Sequence, residues 1–339
     1  MKIATVFFCL LIFISSINAA AAVNFTPAPI TTIIYCPSEP PLPSVFDVYT
    51  AEDLRAIDYQ PSNIVSIELM NDIEITDEFW KPIGSFSKPF TGEFNGNNHT
   101  ITFTKDTEFI PAVGSENTGC GLFGYVYDGQ IRDLNIVLQG NLTSRENNTG
   151  TLVGIINLNY SSVLLSSSAP SATIINCNVF GNGYSVSGEN NVGGLVGNIV
   201  RGSIVNSSSD CSVTAENNAG GLVGFASHGV ILNSSASSSV ISKEYAGALI
   251  GYISNETTIS NSSADGAVKP KGAFGNFIGG WAENYKPTVL DCFYQDKEVD
   301  LEPVPIGNDE KATKTAMAAI MSIVLLAIVI VIIYSKKRN

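Results

Sequence analysis

The chain has 339 residues, 45% hydrophobic and only 14% charged, whereas an ordinary soluble domain carries about 25% charged residues. Its 18 basic and 31 acidic residues give a net charge of −13, which argues against a nucleic-acid partner, because phosphate binding needs a basic patch. Only two histidines are present, His99 and His228, which disfavours most histidine-dependent catalysis and most zinc sites.

The N-terminus reads as a secretory signal peptide over residues 1–22. Lys2 precedes an apolar run from Ala4 to Ile14, and small residues follow. Cleavage after any of Ala19, Ala20, Ala21 or Ala22 fits. Residues 23–44 hold Pro27, Pro29, Pro37, Pro40, Pro41 and Pro43, a density that makes an extended linker. Thr50 to Ile57 then predicts one short helix. Thr50 caps it, Glu52 and Asp53 suit its positive end, and Leu54 and Ile57 share a face. Ile64 to Ile75 is rich in Ile, Val and Leu and reads as strand.

Past residue 118 a unit recurs. Cys120-Gly121-Leu122-Phe123-Gly124 is followed by Gly150-Thr151-Leu152-Val153-Gly154 and Gly193-Gly194-Leu195-Val196-Gly197. Gly220-Gly221-Leu222-Val223-Gly224, Gly247-Ala248-Leu249-Ile250-Gly251 and Gly275-Asn276-Phe277-Ile278-Gly279 complete the series. The closing glycines are 30, 43, 27, 27 and 28 residues apart, and the long interval holds a serine-rich insert at about Asn157 to Ala172. Asp133, Asn206 and Asn233 follow their glycines by nine residues, and Asn261 and Asp291 take the same place later. A period of 20 to 50 residues signals a solenoid, propeller or array, and ~27 residues is short for a four-stranded blade of ~40–45. Short β-branched runs separated by Gly, Asn and Ser therefore predict an all-β parallel β-solenoid, advancing ~4.8 Å per coil. Strand alternation lets one of each adjacent Leu and Val face the core, and the expected inward column is Leu122, Leu152, Leu195, Leu222, Leu249 and Phe277.

These repeats, with Asn-Ser or Asn-Cys after them, resemble the GLUG repeats of bacterial and protist surface proteins. Trp80-Lys81-Pro82-Ile83-Gly84, Pro89 to Phe94 and Asn95 to Ile101 resemble the block that precedes such repeats, so the likeness covers about residues 44–295. The resemblance implies a right-handed β-helix with an N-terminal capping helix and a cell-surface, often adhesive, setting. It implies no catalytic residue. The chain thus divides into an N-terminal cap and first coils (45–118), GLUG-like repeats (119–295), an acidic juxtamembrane stalk (296–314), a transmembrane helix (315–335) and a cytoplasmic tail (336–339). The span rests on 21 uncharged residues, Thr315 to Ser335, which as a helix reach about 30 Å. Lys336, Lys337 and Arg338 place the tail in the cytosol. Lys336 and Lys337 also resemble a dilysine retrieval signal, so residence in the endoplasmic reticulum stands beside the plasma membrane.

No catalytic, cofactor or metal site is expected. His99 and His228 read as turn residues, and the cluster Asp72, Glu74, Asp77 and Glu78 as a solvated edge. Of the five cysteines left after signal removal, Cys177 and Cys211 lie in neighbouring repeats and form the candidate disulfide. Nine glycosylation sequons are present. Asn24, Asn98, Asn141, Asn147, Asn159 and Asn255 are the preferred acceptors. Asn206, Asn233 and Asn261 are less preferred candidates, because as repeat asparagines they are also candidates to stack inside a turn, bond to each other and exclude sugar. The expected function is non-enzymatic adhesion to glycans or surface proteins, with a passive glycan-bearing coat and a polysaccharide-degrading enzyme as alternatives.

Overall fold

The computed structural model describes residues 44–59, 64–111, 119–156, 172–270, 276–282 and 285–299. The signal peptide, most of the linker, the insert at 157–171, the span at 315–335 and the tail lie outside them. Among the described residues no helix is long and apolar enough to cross a membrane.

Strands dominate, and they pair in parallel from coil to coil. One coil shows the plan. Val196–Val200 lies in a 6-stranded sheet, and Gly202–Val205 and Ser208–Ser209 lie in a broad 16-stranded sheet. Ser212–Ala215 then joins a 7-stranded sheet and Asn218–Gly220 a 4-stranded one. Val223–Ser227 returns to the first sheet with Val196 opposite Val223 and Val200 opposite Ser227. The register therefore shifts by 27 residues, the spacing of the closing glycines. This is the geometry of a parallel β-solenoid, and its core runs along the axis between the sheets.

The start of the solenoid follows the sequence closely. Ala51–Ala56 is a helix, with Thr50 as N-cap in a reciprocal capping box with Asp53. Leu54 and Ile57 are buried, and the helix packs on Ser44–Val48 and Ile73–Ile75. The expected strand over 64–75 is two strands, Ile64–Leu69 and Ile73–Ile75, parted at the polar residues Asn71 and Asp72. The block before the repeats is part of the core. The Trp80 indole donates to Leu122 O at 3.2 Å, and the Phe90 and Phe94 rings lie 5.1 and 5.3 Å from Phe123.

Two features of the repeat differ from expectation. First, both members of each Leu-Val pair are buried. Leu195, Leu222 and Leu249 have no exposed surface, and neither do Val196, Val223 and Ile250. The reason lies in the backbone. Leu195 N and Val196 N both donate to Leu222 O, at 3.0 Å each, and Leu222 N and Val223 N both donate to Leu249 O. Successive N–H groups of a regular strand point in opposite directions. Here they converge, so the Gly-Leu bend cancels the alternation and turns both side chains inward.

Second, it is the residue after each repeat asparagine that is stacked inside. Asp133, Asn176, Asn206, Asn233, Asn261 and Asp291 all have φ between 48° and 53°. Asn and Asp tolerate this left-handed region better than other residues with side chains, which accounts for their recurrence. The turn sends the next side chain into the core: Leu134, Cys177, Ser207, Ser234, Ser262 and Cys292 are all buried. Ser234 Oγ donates to Leu232 O at 2.7 Å and accepts from Ser207 N at 3.2 Å, while Ser234 N donates to Ser262 Oγ at 3.2 Å. Each hydroxyl thus satisfies its own burial and ties two coils. Asn233 and Asn261 are exposed and Asn206 half-buried, which corrects the expected interior asparagine stack.

The stretch read as a stalk begins inside the fold. Lys297–Glu298 folds back antiparallel on Phe293–Tyr294, the one antiparallel pair among the described strands.

Two predictions follow from the packing. A Cβ at Gly224 would lie 2.4 Å from Asn191 C and 2.5 Å from Val192 N, backbone atoms of the preceding coil. At Gly229 its nearest contact is 3.4 Å. Gly224→Ala should cost about 1–3 kcal/mol or more and Gly229→Ala little, as read from urea midpoints. In the inner column Ser234→Ala should cost about 1–3 kcal/mol by leaving the Ser207 N–H unpaired. Ser234→Cys should cost less, since cysteine already occupies the column at Cys177 and Cys292.

Candidate functional surface

The acidic edge is built by the cap helix and the first coil. Asp72 Oδ1 accepts from Thr100 N at 2.9 Å and meets His99 Nδ1 at 3.1 Å. The Thr100 amide foremost, and then His99, hold the Asp72 carboxyl below the usual range. Asp77 is paired with Arg55, which also sits 5.5 Å above the Trp80 ring. Glu78 lies 3.8 Å from Lys105 Nζ. A hollow of about 380 Å³ opens here, lined by Tyr49, Thr50, Arg55, Asp72 and Asp77 among others. Glycoside hydrolysis needs two carboxylates free to act on one bond. Asp72, Asp77 and Glu78 are instead engaged by cations or an amide, and of the other carboxylates lining the hollow Glu52 meets Arg55 at 3.4 Å while Glu74 is exposed on Ile73–Ile75.

Both histidines sit at turns. His228 has φ 54° and is exposed, with Nδ1 3.2 Å from Ser227 Oγ. His99 closes the left-handed turn at Asn97 and Asn98. Among the described residues no group of three or more His, Cys, Asp or Glu is placed to hold a metal.

The cysteine pairing expected from the sequence is not formed. Cys120, Cys177, Cys211 and Cys292 are all free and buried. Asn178 pairs with Ser208, so the neighbour of Cys177 in the next coil is Ser207, whose hydroxyl it meets through its N–H at 3.1 Å. Cys211 stands four residues further on, ~13 Å along an extended chain, beyond the ~7 Å span of a disulfide. Its thiol faces Ser209 Oγ at 3.4 Å and Gly194 O at 3.5 Å. Neighbouring repeats are adjacent in space, but positions of different phase within the repeat are not. Cys36 lies outside the described residues.

The sequons separate by geometry. Asn24 and Asn159 lie outside the described residues. Asn141 Nδ2 donates to Asp106 Oδ1 at 3.2 Å, and its Oδ1 accepts from Ser185 N and Oγ. Asn147 accepts from Asn190, which in turn accepts from Asn217, so the carboxamide ladder expected at Asn206 runs along another corner. A second ladder joins Asn148, Asn191 and Asn218 at 2.7–2.8 Å. Asn255 Nδ2 donates to Ser227 Oγ at 2.9 Å. Asn98, Asn233 and Asn261 are exposed. Sequence reasoning ranked these sites by assuming that a repeated asparagine stacks inside. At Asn206, Asn233 and Asn261 the left-handed turn buries the residue behind; Asn148 and Asn191 share that turn and still bond, so the residue types alone do not separate the two corners.

The outer surface of the broad sheet is regular. Asn135, Asn178, Ser208, Ser235 and Ser263 stand in register. Ser208 Oγ donates to Asn178 Oδ1 at 2.8 Å, and Asn178 Nδ2 to Asn135 Oδ1 at 3.3 Å. Beside them run Gln130, Thr173, Ser203, Val230, Thr258 and Thr288. Over these rungs both columns are uncharged; beyond them the second reaches Glu93, which pairs with Gln130, and the first reaches the exposed Phe293.

Neither a family model nor a curated protein matches this sequence. Among solved structures the chain is similar to a proposed immunoglobulin A1 protease from Bacteroides ovatus, solved at 1.30 Å. Identity is 18%, the TM-score is 0.54, and the match covers 77% of this chain and 80% of that one. At that identity the likeness bears on the fold alone.

Burial pushes the Cys120 and Cys177 thiols up to about 12, and it raises those of Cys211 and Cys292. The thiolate is the reactive form. Native protein treated with iodoacetamide at mildly alkaline pH should therefore stay unlabelled at all four and be labelled after unfolding, as read by mass spectrometry.

Proposed function

We propose that this chain is a non-enzymatic, single-pass surface protein whose β-solenoid offers its long faces to glycans or to proteins of other surfaces. The observation that carries this reading is the pair of uncharged columns on the broad sheet. They advance one rung per coil and present mostly hydroxyl and amide groups, interrupted at Val230, along a line that suits an extended partner. The acidic edge supports the non-enzymatic part, because three of its carboxylates are already engaged. The apolar run at Thr315 to Ser335 and the basic tail supply the anchor, with the N-terminus outside. A right-handed winding follows from the resemblance to GLUG repeats.

Cells displaying the full chain should bind components of a glycan and matrix panel, and should release no sugar from mixed polysaccharides. Surface labelling with no binding to any component would favour a passive coat. Sugar release would establish the enzyme. Full chain retained inside the cell, and freed to the surface by Lys336→Ser with Lys337→Ser, would assign it to the endoplasmic reticulum.

A further inference from the structure

We propose that one corner of the solenoid is the chain's N-glycan acceptor column, and that acceptors on adjacent coils exclude one another. The inference rests on the surface reading above, since it needs the secretory compartment. Thr100 pairs with Asn135, which sets Asn98 opposite Asp133 at the head of the left-handed corner column, and Asn98 N donates to Asp133 O at 2.7 Å. Asn206, Asn233 and Asn261 continue the same column. Four of the nine sequons therefore share one edge of the molecule. Their φ values are 62°, 51°, 48° and 48°. In each the backbone turns the residue behind inward or along the sheet and leaves the asparagine at the corner. Asn98, Asn233 and Asn261 are exposed and Asn206 is half-buried.

The other described sequons are less open. The Nδ2 atoms of Asn141 and Asn255 already donate hydrogen bonds, and Asn147 is half-buried in its carboxamide ladder with Thr149 fully buried behind it. In the transfer, asparagine Nδ2 forms a bond to the anomeric carbon of an oligosaccharide carried on a polyprenyl diphosphate. The bond from that carbon to the diphosphate oxygen breaks, the amide gives up one proton, and the lipid diphosphate leaves. The product amide keeps one hydrogen and needs open space on the side of Nδ2. The corner column offers it.

Register then limits occupancy. Asn206, Asn233 and Asn261 lie on successive coils, ~4.8 Å apart. A branched oligosaccharide is much wider than one strand spacing, so a sugar on one rung covers the next. Asn98 is separated from Asn206 by the coils of Asp133 and Asn176 and is independent of the three.

The test uses the full chain made in cells with a secretory pathway, with occupancy of each sequon read by glycopeptide mass spectrometry and combinations read from the intact mass. Sugar is expected at Asn98 and in the Asn206-Asn233-Asn261 group, never on two adjacent members of the same chain. Ser235→Ala destroys the Asn233 sequon without touching the left-handed asparagine, and occupancy at Asn206 and Asn261 should rise. Sugar on Asn206 and Asn233 together, or unchanged neighbours in Ser235→Ala, overturns the exclusion. Sugar at Asn141, Asn147 or Asn255 with the column bare overturns the assignment of the column, as does a chain that reaches the surface with no sugar on any sequon. A chain that stays in the cytosol unmodified overturns the surface reading itself, and this inference with it.

Discussion

Everything in this molecule follows from stacking in register. Each side chain in a repeat lies one strand spacing from its counterpart in the next coil. Whatever occupies a position must therefore tolerate a copy of itself at ~4.8 Å. Two like charges at that distance repel by about 3 kcal/mol at an effective dielectric constant near 20. Small hydroxyls, carboxamides and aliphatic groups pack favourably at the same distance. The low charge content is a result of that constraint. The exception shows the rule. Glu146, Glu189 and Glu216 do stack, at a solvent-facing corner where water weakens the repulsion, and the next rung brings Lys243 into an ion pair with Glu216.

Polar groups inside the stack are allowed on the same terms. A buried hydroxyl is costly unless it is bonded. Ser207, Ser234 and Ser262 meet this condition identically, each donating to the carbonyl two residues before it and accepting from the coil behind. Cysteine stands at both ends of the run, where a thiol sits 3.4 Å from Ile175 O and 3.2 Å from Leu290 O. The Asp133 rung of the column has Leu134 there, so the position also accepts an apolar group.

The architecture was legible because periodicity is a global signal: six glycine pairs, spaced 27 to 30 residues apart except for the one interval of 43 that holds the insert, leave few alternatives to a solenoid. The cap helix was legible because Thr50, Asp53, Leu54 and Ile57 each match a local rule. What escaped was orientation within the coil. The rule that strand side chains alternate fails at the Gly-Leu bend, where two N–H groups share one carbonyl. The rule that repeated asparagines form a ladder holds for Asn148, Asn191 and Asn218 and fails for Asn233 and Asn261, although Asn148 and Asn191 are left-handed too, at φ 56° and 51°. Sequence shows which residues recur, and the corner of the coil at which each one turns decides whether its side chain meets its counterpart. The candidate surface was less legible still, since its uncharged columns are made of residue types that also fill ordinary turns.

The antiparallel return at Lys297–Glu298 bears on how long such a molecule can be. A parallel stack contains no instruction to stop, because every coil leaves an edge that suits another. The return occupies part of that edge with a strand of the opposite direction, and so provides a terminus. Upstream of it, a unit of the 27-residue repeat, such as the one that starts after Gly197, pairs its strands with those of its two neighbours. Units can then be gained or lost in evolution with both ends intact, and the distance between the first coil and the last is set by copy number, one strand spacing at a time.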